Sequence, residues 1–411
     1  MNAVSNTLSI GILASEDNGK PEMFRLISHK IHKKFNNLPM AYTFSNFRSI
    51  IMVTVPELAI MKEGSCMFFI DTSRNGKPVY DPIVNQSLDN YLVNDLKLPG
   101  HGLIMYVNQP AVIVGVNQNA YAEVNMPYLK EKGIKLVRRT SGGGAVYHDY
   151  GNIIFENIVI NDDQHFGDFK YFAQPIIDAL HDMGATDAEM RGRNDMVIGN
   201  QKFSGMTMFK VGKSYAAGGT LMFDLDMDVA TEVLTPEKDK LESKGVKSVE
   251  SRVTNVKPFL KPEFQKLDIE GFKKALLLRL FNAKSLDDIE TYHLNDHDWS
   301  IIDERLKGKY DTDEWNYGKN PGFDYYVSKH YDIGTVSFNY SLNGNQISDI
   351  KIYGDFITGG DISVIEKALK GVDLSKDALV DALNQVDIKA NLGDISAAEL
   401  ADLLLEKTRI N

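Results

Sequence analysis

The chain of 411 residues has a single cysteine, Cys66, which excludes a disulfide framework, a thiolate zinc site and an iron–sulfur cluster. A lone thiol fits a reducing compartment. Positive charge is the scarcer sign: 45 Lys and Arg stand against 56 Asp and Glu, a net −11. A sequence-independent nucleic-acid binder draws its affinity from Lys and Arg on phosphates, so no nucleic-acid partner is expected. No apolar run approaches the roughly 20 residues of a membrane span. The best stretch, Ser49–Met61, is short and holds Pro56 and Glu57. The N-terminal stretch lacks the basic-then-apolar pattern of a secretory signal, so the expectation is a cytoplasmic protein without membrane contact. Internal repeats and low-complexity segments are missing as well.

What is present is an ordinary globular mix, 43% hydrophobic and 25% charged. At about 150 residues per domain the length suggests two domains or three. Residues 1–66 carry no sustained helical or strand period. Lys62-Glu63-Gly64 can be encoded by a run containing AAGGAGG, a bacterial ribosome-binding sequence at suitable spacing before Met67. The expectation is therefore a leader over 1–66, a catalytic domain over 67–318, a linker over 319–325 and an accessory domain over 326–411. The alternative is a small N-terminal domain. From Met67 onward the pattern sharpens. Gly102–Val107, Ala111–Gly115, Ile134–Arg139, Asn152–Ile160 and Tyr215–Phe223 read as strands, and Met196–Ile198 with Lys202–Met208 reads as a hairpin around Gly199-Asn200. Tyr121–Lys132, Phe166–Met183, Val229–Leu234 and Ile269–Phe281 read as helices. Beyond the turn formers of Trp315–Gly322, a hairpin (Gly334–Ser341, Gln346–Tyr353) and three helices (Ile362–Leu369, Lys376–Val386, Ser396–Lys407) complete an α+β module.

The most informative stretch is Arg138-Arg139-Thr140-Ser141-Gly142-Gly143-Gly144-Ala145-Val146-Tyr147-His148-Asp149. Glycines let backbone approach a ligand, and successive N–H groups can form an anion-holding concavity. Adjacent guanidiniums add donors for phosphate or carboxylate, which favours an anion site over a plain flexible turn. The run is no P-loop, lacking the Gly-Lys-Ser/Thr ending, and no dinucleotide fingerprint, because a strand rather than a helix follows. A second group is Gly192-Arg193-Asn194-Asp195 with Lys202-Phe203-Ser204-Gly205. A lysine on a buried hairpin is costly unless it meets an anion, whereas on an edge strand it points to solvent. Asn194 and Asp195 can bond a base, coordinate a metal through oxygen, or cap a turn. Lys244–Ser248 and Ser251–Asn255 form a basic, turn-rich loop. His293 and His297 have His-x-x-x-His spacing, but Leu294 stands where a zinc protease needs glutamate and Asn295-Asp296 favours a turn. Cys66 lies outside every motif, which excludes an active-site cysteine nucleophile.

As an ordered set these residues resemble the lipoate–protein ligases, in particular the two-domain lipoate–protein ligase A type of Gram-positive bacteria. The likeness runs from Met67 to the C-terminus. It is carried by Val114–Asn119, Arg138–Asp149, Gly192–Asp195, Lys202–Gly205, Gly219-Thr220-Leu221-Met222, Lys244–Asn255 and Trp315–Gly318. The implied fold is α/β (α+β): a biotin/lipoate ligase-like catalytic domain with a mixed sheet and a small C-terminal α+β accessory domain. The implied chemistry joins lipoate and ATP into lipoyl-adenylate and pyrophosphate, then passes the acyl group to a lysine of a carrier domain. The implied carriers are 2-oxoacid dehydrogenase E2 subunits or a glycine cleavage H protein.

By motif position, Arg138, Arg139, Ser141, Gly142, Gly143, Gly144, Ala145, Val146, Tyr147, Asn194, Asp195 and Lys202 would hold the nucleotide. Lys202, the catalytic residue, would bridge lipoate carboxylate and α-phosphate, and Asp195 would serve Mg2+. Val112, Val114, Gly115, Val146, Tyr147 and His148 would line the lipoate site with Lys202. ATP, Mg2+ and lipoate are thus expected as substrates and metal, without a tightly bound prosthetic group. Three departures stand out: Gly218 replaces a histidine usual before Gly-Thr-Leu, Asn85–Asn90 differs from the family's Asn-Leu-Ala-Val-Glu-Glu, and Val116 replaces a basic residue. They leave open a non-catalytic lipoate-binding or regulatory protein, or a paralogue with altered acyl or carrier specificity.

Overall fold

The computed structural model describes residues 67–234, 253–318, 322–358 and 360–406, and the backbone alone for 10–12, 51–53 and 408–409. The chain divides into two units, Met1–Gly64 and Ser65–Asn411. In the first, strands Ile10–Ile12 and Ile51–Val53 pair antiparallel. The leader expected over 1–66 otherwise lies outside the described residues, as do Cys66, the basic loop up to Arg252, and 319–321 of the linker.

The second unit is organised by an eight-stranded mixed sheet. In chain order its strands are β1 (Met67–Asp71), β2 (Gly100–Val107), β6 (Asn152–Ile160), β7 (Ala188–Arg191), β8 (Asp195–Ile198), β9 (Gln201–Val211), β10 (Ser214–Met222) and β11 (Thr291–His293). Their spatial order is β11-β1-β2-β6-β10-β9-β8-β7. The β11–β1 and β1–β2 pairs are parallel and the remaining pairs antiparallel. The Asn-Ile-Ile-Phe-Glu-Asn-Ile-Val-Ile run of β6 is buried except at Glu156, as a strand flanked on both sides and covered on both faces must be.

One face is covered by α3 (Phe169–Met183) and α5 (Ile269–Leu280). Asp168 starts α3 by accepting the Tyr171 N–H, and Gly184 ends it at φ 117, a left-handed value that suits glycine. Phe169, Phe172, Ile176, Ile177 and Leu180 form its buried stripe against Leu103, Phe155, Met206 and Met208. Each such side chain stabilises the fold by about 1.5–3 kcal/mol relative to solvent exposure.

Above the other face sits a three-stranded sheet: β3 (Ala111–Val114) between β4 (Lys135–Arg138), parallel to it, and β5 (Val146–His148), antiparallel. Beside it lies α1 (Pro82–Tyr91), capped by Asp81. The helix expected over Tyr121–Lys132 is interrupted. A turn at Ala120–Glu123 precedes α2 (Met126–Lys132), because Val124 bridges to Leu234 and Asn125 starts a new helix by accepting the Tyr128 N–H. Helix α4 (Met227–Val233) packs with them. Asn295 caps α6 (Asp296–Arg305), so His297 lies on a helix while His293 ends β11.

Strand β12 (Tyr325–Tyr331) opens the C-terminal module at a residue expected to be linker. With β13 (Gly334–Asn343), β14 (Gln346–Gly354) and β15 (Thr408–Arg409) it forms a sheet of order β14-β13-β12-β15. The helices α7 (Ser363–Leu369), α8 (Lys376–Leu383) and α9 (Ala397–Leu405) bury Leu369, Leu379 and Leu400 against Val336, Phe338 and Ile352. No helix among the described residues is long and apolar enough to cross a membrane.

Candidate active site

Strand β4 delivers Arg138 and Arg139 to the start of the glycine loop, and both side chains turn inward. Arg138 donates from Nη1 to the carbonyls of Gly115 (2.8 Å) and Gln118 (2.7 Å) and from Nε to Trp315 O (2.9 Å). Trp315 Nε1 returns a bond to Arg138 O (2.9 Å), and Asn316 Oδ1 accepts the Arg138 N–H. Arg139 donates from Nη2 to the carbonyls of Gly142 (2.7 Å) and Gly144 (2.9 Å) and from Nη1 to Ile113 O (3.2 Å). Burial pushes both guanidiniums down to about 10, so they stay cationic at neutral pH beneath the loop.

The loop is close-packed around Gly142 and open at Gly144. A Cβ on Gly115 would lie 2.2 Å from Gly143 O, so only glycine lets the loop rest there. Gly143 sits at φ +95. Ser141 O accepts the Val116 N–H, and Thr207 Oγ1 donates to Gly142 O (3.0 Å), tying the loop to β9. A Cβ on Gly144 would meet nothing within 4 Å, which leaves that part of the loop accessible.

Lys202 lies at the start of β9, across from β8. Its Nζ pairs with Asp195 Oδ1 at 2.7 Å, with each side chain 39% exposed. The lysine is therefore neither buried without a partner nor loose in solvent. Its chain lies over Gly205, where a Cβ would be 2.8 Å from Nζ. Gly205 and Thr207 are two apart on one strand, so Lys202 Nζ shares a sheet face with the Thr207 hydroxyl that bonds the glycine loop. Asn194 is held by its Nδ2 bond to Met206 O (2.6 Å).

Behind the loop the same face carries a group that sequence reasoning missed. Gly218 pairs with Thr207 on one side and with Glu156 on the other. Tyr106 OH accepts from Gln86 Nε2 (3.0 Å) and donates to Glu156 Oε1 (3.4 Å). Burial pushes the Glu156 carboxyl well above the usual range, with the Asp89 charge adding to the effect, and pushes Asp89 up to about 7. The one signal in the sequence was a lone carboxylate inside a mostly apolar strand.

These features make a surface that could hold a polyanion on loop amides and set an ammonium beside it. A model of the lipoyl protein ligase A/B catalytic domain matches residues 81–281, and one of the bacterial lipoate protein ligase C-terminus matches 320–404. Lipoate-protein ligase LplJ of Bacillus subtilis is 40% identical over 338 residues, 82% of this chain and 100% of that protein. The lipoate–protein ligase of Streptococcus pyogenes is 39% identical over 340 residues, 82% of this chain and 99% of that one. The chain belongs to the lipoate–protein ligase family. Among solved structures, P. falciparum LipL1 in complex with lipoate has a TM-score of 0.65 at 22% identity, covering 84% of this chain and 100% of that one. Lipoate-protein ligase A bound with ATP has a TM-score of 0.50 at 23% identity, covering 62% and 98%. At these identities the likeness concerns the fold.

Within this lipoate–protein ligase fold the expected residues do not all reach one surface: Gly115 lies against Gly143 and Ala145 packs on an apolar cluster. Lys202, Asp195, Asn194, Gly143 and Gly144 border one surface, and Gly142 is buried beside Phe356. Arg138, Arg139 and Ser141 are buried beneath that surface, with both guanidiniums bonded to backbone carbonyls. Val112, Val114 and Tyr147 belong to an apolar cluster with Ala120, Leu129 and Leu225, and Val146 packs with Ile113 and Val137. Val112 and Val114 have no exposed surface, so they are core rather than the walls of a slot. His148 is buried and neutral: burial and the Arg139 charge push it down to about 3, and its Nδ1 faces Asn108 Nδ2 at 3.1 Å. Among the described residues no group of three His, Cys, Asp or Glu side chains could hold a metal.

Proposed function

We propose that the chain is an ATP-dependent lipoate–protein ligase. A lipoate carboxylate oxygen attacks the α-phosphorus, pyrophosphate leaves, and the mixed anhydride lipoyl-adenylate forms. The amine of a carrier lysine then attacks the acyl carbon, forming an amide as AMP and a proton depart. The observation that carries this reading is Lys202 Nζ, laid over Gly205 on the face that Thr207 ties to the glycine loop. Bringing a carboxylate to a phosphate joins two anions, and a fixed ammonium between them offsets the repulsion most in the transition state.

In this scheme the loop amides receive the phosphates, while Arg138 and Arg139 hold the loop and supply positive field from beneath. Asp195 would hold Mg2+ together with substrate phosphate, which suits an ion that commonly takes one or two carboxylates. The metal would neutralise triphosphate charge. The names of the Bacillus and Streptococcus relatives support the activity. A Thermoplasma acidophilum bi-partite ligase, solved as part of a study with its E2 lipoyl domain, has a TM-score of 0.52 to this chain and supports a carrier domain of that kind. A cytoplasmic setting suits the single thiol and an ATP substrate. Protein, ATP, lipoate and an isolated E2 or H-type carrier should yield a carrier heavier by one lipoyl group on a lysine, read by intact mass. No ATP-dependent gain with either carrier type would overturn the reading.

A further inference from the structure

The floor between the glycine loop and the large sheet lacks side chains at Gly205 and Gly218, and Lys202 stands at one end of it. Register places Glu156 at the other end. Thr207 pairs with Gly218, and Gly218 with Glu156, so the three share a face. Two residues along β9 and two strand spacings across set Gly205 and Glu156 about 12 Å apart. An extended eight-carbon acyl chain, its carboxylate at Lys202, spans much of that distance. Gly218 is what lets the Glu156 side chain lie across the sheet at that end: a Cβ there would lie 2.6 Å from Glu156 Cγ and 2.1 Å from Phe155 O.

We infer that Glu156 is a specificity-determining residue that meets the distal end of the acyl chain and favours an end carrying hydrogen-bonding or polarisable atoms, such as a dithiolane, over a plain alkyl end. The carboxyl is oriented but not satisfied. Tyr106 OH bonds Oε1, whereas Oε2 is buried without a hydrogen-bond partner, although the residue as a whole is partly accessible. Burial shifts the acid toward its protonated form, in which it can donate as well as accept. An aliphatic chain end seals such a group off unpaired, and sites built around a hydrogen-bonding group discriminate against analogues lacking the partner. A sulfur-bearing end gives the O–H a soft acceptor.

The inference rests on the ligase reading for its substrate, and the test separates the two. Calorimetry on the full chain gives the ratio of octanoate to lipoate dissociation constants for wild type, Glu156→Met and the near-isosteric Tyr106→Phe. The ratio should fall by about tenfold in Glu156→Met and by less in Tyr106→Phe, while Glu156→Gln, which keeps donor and acceptor, stays near wild type. ATP affinity should not move. A ratio within about twofold of wild type in whichever of the first two variants remains folded overturns the inference, as does wild-type binding of neither acid. ATP–pyrophosphate exchange on the same samples tests turnover, so lost exchange with an intact binding ratio counts against the ligase reading alone.

Discussion

At the scale of single residues, charge placement separates Lys202 from the buried ionisable groups. Lys202 is half-exposed and ion-paired with Asp195, so it adds little to stability but stands ready for an anion. Lys202→Met keeps the stem and removes the charge, and adenylate formation should fall by about two to three powers of ten with the melting temperature nearly unchanged. Near-normal exchange in the folded variant would remove Lys202 from the chemistry. Asp89 behaves oppositely. Its carboxyl is pushed up to about 7 by burial, against about 3.9 in an unfolded chain. The folded state then binds more protons between those values. Its contribution to stability is full below about pH 4 and is lost as pH rises through about 7. Asp89→Asn keeps an oxygen to accept the Asn90 N–H and removes the titration. Relative to wild type, its melting temperature should rise by a few degrees between about pH 5 and pH 8. Identical pH profiles for the two proteins would contradict this.

Among elements, the glycine loop depends on a contact that its own residues do not contain. Gly115→Ala would drive a methyl into Gly143 O, at 2.2 Å. The loop should shift, at a cost of about 1–3 kcal/mol, and KM for ATP should rise more than KM for lipoate. Equal changes in both would place the loop elsewhere in the mechanism. The loop and the strands around it were legible because β-branched runs bounded by glycine have few other readings. Helix α1 was not, because its buried positions include Asn85, Gln86, Ser87 and Asp89 and so carry no apolar period. The break after Glu123 was hidden because it depends on Val124 meeting Leu234, more than a hundred residues away. The two arginines were legible as identities but not as contacts, since the carbonyls of Ile113, Gly115 and Gln118 come from another strand and its following turn. Lys202 was legible for the opposite reason: its partners, Asp195 and Gly205, are local. Glu156 went unread because its meaning lies in the strand register opposite Gly218.

Over the whole molecule, the C-terminal module rests on the catalytic loop. Gly354 donates its N–H to Asn117 O (2.9 Å), and a Cβ on Gly142 would lie 2.3 Å from Phe356 O. Adenylate formation gains from excluding water, whereas transfer must admit a carrier lysine, so one fixed arrangement serves both steps poorly. Hydrogen exchange at the Gly354 amide should therefore differ between the free protein and its complex with a non-hydrolysable lipoyl-adenylate mimic. Unchanged protection would speak for a rigid pairing. The central claim, that this surface activates lipoate with ATP, is tested most directly by ATP–pyrophosphate exchange with lipoate, octanoate and biotin supplied separately. The expected result is exchange that depends on lipoate, is weaker with octanoate and is lost in Lys202→Met. Exchange with biotin alone, or none with lipoate, would contradict it.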